Sequence, residues 1–287
     1  MYHLRPSSKS RGPAAGSLAL WLLLAFAACG PALGGSPRAP EAPVPAPPTA
    51  DEAKASLIRA YPEQLDRFDG DLLVWRDGTR MPFDDGLGVK SPADRLERAD
   101  IEEMFAQRYV AGPMTGVPAV EFDPGRARNA ALFDKLYGRC DRGDVERQLV
   151  DVVWLPSKWG KTVKATRVNG VSKRLEEVSR DLDQLPASFD VYLFPPAGTY
   201  NCRRIAGTSR QSPHGYGIAI DLAAARANYW RWESPGDGGY RRYRNSIPME
   251  IVAIFEKHGF IWGGKWYHFD TMHFEYRPEL LGLSGRR

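Results

Sequence analysis

Two short segments constrain this chain more than anything else in it. The first is Ser212-Pro213-His214-Gly215-Tyr216-Gly217-Ile218-Ala219-Ile220-Asp221, and the second is Trp266-Tyr267-His268-Phe269-Asp270-Thr271-Met272-His273-Phe274-Glu275. In the first, a His and an Asp stand seven apart, separated by a glycine turn and a short apolar run that reads as a strand. Such an arrangement can bring an imidazole nitrogen and a carboxylate oxygen to one point. A second histidine from another strand would complete three protein ligands. Three N/O ligands with an open position describe a catalytic zinc site, whereas structural sites tend to be closed and thiolate-rich.

The rest of the chain reads as helices interleaved with short strands. Helices are predicted over 51–61, 94–109 (apolar positions Leu96, Ile101, Met104 and Phe105), Val171–Leu185 and Ile247–His258. The third has Val171, Leu175, Val178, Leu182 and Leu185 at spacings of four and three, and its polar face reads as solvated exterior. The fourth has Pro248 in its first turn and Gly259 at its stop. Strands are predicted at Leu72–Arg76 (entering a turn at Asp77-Gly78), Val150–Leu155, Asp190–Phe194, Ile218–Leu222, Phe260–Trp262 and Met272–Tyr276. No regular βαβ rhythm and no internal repeat appear, so the fold class expected is α+β. With 287 residues, 43% hydrophobic and 26% charged, the chain has ample material for a buried core.

The first residues carry an address. Arg5, Lys9 and Arg11 lead into the apolar run LALWLLLAFAA at Leu18–Ala28, followed by small residues and proline. That run is too short to cross about 30 Å of hydrocarbon and fits the core of an export signal. Phe26-Ala27-Ala28-Cys29-Gly30 is similar to a lipoprotein processing site, with Phe where Leu is usual. Cys29 is therefore either lipidated, attaching the protein to a membrane, or lost by ordinary cleavage nearby. The expected location is the bacterial periplasm or cell envelope. Residues 35–50 are rich in Pro and Ala and read as a semi-rigid tether. The remaining cysteines, Cys140 and Cys202, are either a disulfide, as an oxidising compartment permits, or two separate buried thiols. The chain has 39 Lys and Arg against 35 Asp and Glu; without the three leader cations the excess falls to about +1. A near-neutral body argues against a nucleic-acid partner.

The pattern Ser-x-His-x-x-Gly-x-Ala-x-Asp, followed some fifty residues later by Asp-x-x-His-Phe-Glu, resembles the M15 zinc peptidase family. That family includes D-alanyl-D-alanine carboxypeptidases, D-Ala-D-Ala dipeptidases and L-alanyl-D-glutamate endopeptidases. The resemblance runs from Val150 to Leu281 and is densest at Arg203–Leu222 and Phe255–Leu280. It implies one zinc ion per chain, held by His214, Asp221 and His273. It makes Asp270 the general base and Arg203, or its neighbour Arg204, the arginine that faces the charged intermediate. Ser212 would orient the ligand loop. The implied fold is the α+β hedgehog/DD-peptidase type, a small antiparallel sheet with flanking helices and, before it, a mainly helical N-terminal extension. Domain bounds follow: signal 1–34, tether 35–50, extension 51–149 packed on the core, peptidase domain 150–287. The implied substrate is a peptidoglycan stem peptide, with removal of a terminal D-Ala ahead of an internal cut. A noncatalytic cell-wall peptide binder is the alternative from another class. A monomer is the default.

Other residues carry plainer expectations. His258 ends a helix and reads as a favourable charge at its C-terminus. His268 competes as a ligand, but residues five apart on a strand face opposite sides, and the family pattern selects His273. Glu275, two after His273, either supports that ligand from behind or makes a surface salt bridge. Trp262, Trp266 and Tyr267 either line a cleft or pack a small sheet.

Overall fold

The computed structural model describes residues 40–205, 208–233 and 242–283. The segment predicted to be an export signal, Cys29 and the first part of the predicted tether lie outside the described residues. The described residues form one compact unit. Pro40 to Pro48 run extended, but the stretch lies on the body: the Ala42 N–H donates to Val117 O at 2.8 Å, and the Val117 N–H to Pro40 O at 3.0 Å.

Helix α1 (Ala50–Ala60) opens with a capping box, in which Thr49 and Glu52 satisfy each other's backbone N–H groups. An antiparallel meander follows, β1 (Leu65–Asp69), β2 (Leu72–Trp75) and β3 (Arg80–Pro82), with the expected turn at Asp77-Gly78. Helix α2 (Pro92–Arg98) stops well short of the predicted 94–109. Ala99 leaves helical geometry at ψ 140°, and a short 3-10 turn, Glu102–Phe105, starts afresh. The cause is a second reciprocal cap: the Glu103 N–H donates to Asp100 Oδ1, and the Asp100 N–H to Glu103 Oε2. Buried Lys90 bridges the same two carboxylates. Helix α3 (Ala130–Tyr137) buries Leu132, Phe133, Leu136 and Tyr137.

The hairpin β4 (Leu149–Trp154) and β5 (Lys161–Thr166) is covered by α4 (Val171–Asp183), whose Val171, Leu175, Val178 and Leu182 are buried as their spacing requires. Part of its polar face is occupied: Glu177 and Asp181 accept from His258 at 3.0 and 2.8 Å. The segment predicted as a strand at Asp190–Phe194 is instead a helical turn, α5 (Asp190–Leu193). Two prolines follow it, and they could not donate to a ladder. Its Leu193 carbonyl accepts from Trp154 Nε1 at 3.0 Å.

The second sheet that matters is β6 (Ala219–Asp221), with β7 (Phe260–Trp262) and β8 (His273–Tyr276) after helix α6 (Met249–Lys257). Its order is β6-β8-β7, all antiparallel, with Asp221 directly opposite His273 and Ala219 opposite Glu275. Phe255 of α6 stacks on Phe274 at 3.9 Å, fixing the sheet's apolar side. The short helix α7 (Pro278–Leu281) returns to α1: buried Ser56 and Tyr61 bond Glu279. The fold is thus α+β, with small antiparallel sheets and flanking helices, and one core runs from α1 to α7. Among the described residues, no helix is long and apolar enough to cross a membrane.

Candidate active site

His214 sits in a 3-10 turn, Pro213–Tyr216, that begins at Ser212. The buried Ser212 Oγ accepts from the His214 N–H at 3.3 Å, and Gly217 ends the turn at φ 70°. A side chain at Gly217 would also run into Leu149 and Thr166. The chain then enters β6 and delivers Asp221 one strand away from His273.

Three donor atoms converge. His214 Nε2 lies 3.3 Å from His273 Nδ1, His273 Nδ1 2.9 Å from Asp221 Oδ1, and His214 Nε2 3.2 Å from the same oxygen. The outer nitrogen of each ring has an acceptor. His214 Nδ1 faces the Thr199 carbonyl at 2.5 Å, and His273 Nε2 faces Glu275 Oε2 at 3.1 Å. A carbonyl and a carboxylate can only accept, so each outer nitrogen carries a proton, and with both rings neutral the inner nitrogens point lone pairs at one spot. Two lone pairs and a carboxylate oxygen repel unless a cation sits among them, either a proton on His273 or a metal ion. The set is two imidazoles and one carboxylate, with a cleft on its open side, and it fits a zinc-class ion.

Glu275 is fully buried. Besides His273 it accepts from Arg128 through both oxygens at 3.0 Å and from Arg277 at 2.9 Å. Burial alone would raise its pKa, but Arg128, His273 and Arg277 hold it well below the ordinary carboxylate range. The surface salt bridge entertained for it is therefore excluded. Asp221 is likewise pulled low, its burial outweighed by His214 and His273. Burial also opposes a charged His273, yet Asp221 and Glu275 push its pKa up to about 10.

Asp270 has the opposite character. Its carboxyl is pushed up to about 6, chiefly by burial, with the charge of Asp221 adding to the effect against the two histidines. Its Oδ1 is buried and has no hydrogen-bond partner. Backbone bonds hold the residue in place: its N–H donates to Gly263 O at 3.0 Å, and its carbonyl accepts from the His273 N–H. A Cβ at Gly263 would come within 2.6 Å of the Asp270 carbonyl, so only glycine permits that approach.

These residues line a cleft of about 180 Å³. Arg203 is on its wall, exposed, whereas Arg204 turns away toward the Ser209 carbonyl and Asp141. Cys202, next to Arg203, is joined to Cys140 as a disulfide, with Cα atoms 5.6 Å apart. Trp266 lines the cleft and packs beside His273, while Trp262 belongs wholly to the core. His268 also reaches the cleft but not the three donors. Its Nδ1 and backbone N–H both bond Asp123, which Arg126 occupies as well.

The sequence reading did not single out Asp123, Arg126, Arg128, Thr199 or Arg210. Arg126 and Arg128 come from an irregular stretch with no periodicity, and Thr199 contributes only its carbonyl. Their one signal was the density of arginines in 126–128 and 203–210.

Residues 206–276 match the family model for D-alanyl-D-alanine carboxypeptidase, an M15 peptidase model. The stretch contains His214, Asp221, Asp270, His273 and Glu275 and starts just past Arg203. Neither the curated proteins nor the solved structures provide a match. Over residues 206–276 the chain is similar to the M15 peptidases.

Proposed function

We propose that the protein is a zinc-dependent peptidase that hydrolyses peptidoglycan stem peptides, removing a terminal D-Ala, and that it is exported to the cell envelope. The observation that carries this reading is the pairing of a two-imidazole, one-carboxylate donor triad with Asp270, whose buried Oδ1 has no hydrogen-bond partner, in one cleft. Zinc, when bound, supplies Lewis acidity, lowering the pKa of water toward about 7 and polarising a carbonyl. His214, Asp221 and His273 would hold it. Asp270 Oδ1 takes the proton of the attacking water and returns it to the leaving amine; a raised pKa suits both transfers. Arg203 faces the developing negative charge from the cleft wall. The Thr199 carbonyl and Glu275 keep the two imidazoles oriented, Ser212 fixes the turn that carries His214, and Trp266 excludes water from one side.

The test is digestion of purified muropeptides by the mature protein, with zinc and with chelator, read by mass spectrometry. The expected result is a chelator-sensitive loss of one alanine. An internal cut would make the protein an endopeptidase, and no cut by zinc-loaded protein would leave a peptide binder. Asp270→Ala should retain zinc by metal analysis and lose turnover by at least about a hundredfold; near-normal activity would remove Asp270 from the chemistry. The mature N-terminal mass decides between a lipidated Cys29 and simple cleavage.

A further inference from the structure

Five arginines line the cleft, and four of them are accounted for. Glu275 neutralises Arg128 and Asp123 neutralises Arg126. Arg203 and Arg231 are exposed, where water solvates them, and Arg231 also lies over the Trp230 ring. Arg210 is different. It is only 8% exposed, and its Nε has no hydrogen-bond partner. Glu97 Oε2 pairs with that Nε only loosely, at 3.8 Å and beyond hydrogen-bond reach, while Glu97 Oε1 accepts from the N–H and hydroxyl of Ser209. One terminal nitrogen reaches the Arg126 carbonyl at 3.5 Å. Burial and the charge of Arg128 push its pKa down to about 10, with Arg126 adding to this against Glu97. A buried cation with like charges beside it and a carboxylate no closer than 3.8 Å gains from an anion within hydrogen-bond reach.

We propose that Arg210 is the fixed binding site for a carboxylate of the peptide substrate. This rests on the peptidase reading above and names the substrate class: peptides carrying a free carboxylate. The backbone around it is tied to the metal-ligand turn. Ile205 N–H donates to the Arg210 carbonyl at 3.0 Å, Ser212 N–H to the Arg203 carbonyl at 3.0 Å, and Ser212 caps His214. An anion held at Arg210 therefore places the peptide relative to the donor triad and Asp270. Arg210 acts on binding, and Arg203 acts on the developing charge.

The experiment uses the zinc-loaded full chain as wild type, Arg210→Gln and Arg210→Lys. Its probes are stem tetra- and pentapeptides, the same peptides amidated at the C-terminus, and the same peptides amidated at side-chain carboxylates. Affinity is read by calorimetry, hydrolysis by mass spectrometry and stability by thermal unfolding. Wild type should bind the acid at least about tenfold more tightly than one of the two amides, and which amide identifies the carboxylate. Arg210→Gln should bind acid and amide alike with an unchanged or higher Tm, and Arg210→Lys should recover part of the preference. Equal affinity of wild type for acid and amides would overturn the proposal. So would undiminished preference in Arg210→Gln, or a loss of Tm with weakened binding of every peptide. Arg210-dependent preference without hydrolysis would sink the peptidase reading and leave this one standing.

Discussion

Glu275 shows how much a single residue decides without touching the point where the three donors meet. By accepting from His273 Nε2 it leaves Nδ1 free for a cation, and it is itself held by two buried guanidinium groups. Glu275→Gln keeps the shape but removes the charge that Arg128 and Arg277 surround. Metal affinity should fall about 10–100-fold in chelator competition, because the partner behind a ligating imidazole sets its tautomer and basicity. Stability to urea should fall by about 3–5 kcal/mol, the usual cost of leaving buried charge uncompensated. Unchanged affinity would mean that Thr199 and the fold alone orient the two rings.

At the scale of elements, the site is a register. Strands β6 and β8 pair so that Asp221 faces His273, and a slip of one residue would turn each side chain to the other side of the sheet. The turn before β8 sets Asp270 by the close approach of Gly263 to its carbonyl. Gly263→Ala forces that contact apart. It should cost about 1–3 kcal/mol as an overpacked contact and lower activity steeply, with metal content by atomic absorption unchanged. Loss of metal along with activity would show instead that the turn also holds β8. The same scale explains two sequence-based errors. The reciprocal cap of Asp100 and Glu103 was present as D-x-x-E, yet the apolar spacing of Ile101, Met104 and Phe105 argued for an unbroken helix. The run before Pro195 was too short for periodicity to separate a strand from a helical turn.

For the whole molecule, residues before Leu149 are part of the site's support. Arg128 reaches Glu275, Asp123 fixes His268, and Tyr61 and Ser56 anchor Glu279. The Cys140–Cys202 disulfide closes 62 residues of chain and ends beside Arg203. In the chain-entropy account such a loop is worth about 4 kcal/mol. Reduction of the folded protein should lower Tm by several degrees, and turnover should fall more than metal occupancy, since Arg203 rather than a metal donor loses its anchor. Equal Tm for the reduced and oxidised protein would show the crosslink to be without structural weight.

Local pattern determined a good deal by itself. The α+β class, helices α1, α4 and α6 and the strands β6, β7 and β8 follow from spacing, glycine stops and alternation, which neighbouring residues write directly into the chain, and the choice of His214, Asp221 and His273 rests on the resemblance of their two motifs to the M15 family. The tertiary structure alone decided what depends on distant partners. It brought Arg128 to Glu275, left the buried Arg210 Nε without a hydrogen-bond partner, stripped Asp270 Oδ1 of partners and separated Arg203 from Arg204. Burial and charge at a point are sums over everything packed around it, and no run of neighbouring residues records that sum.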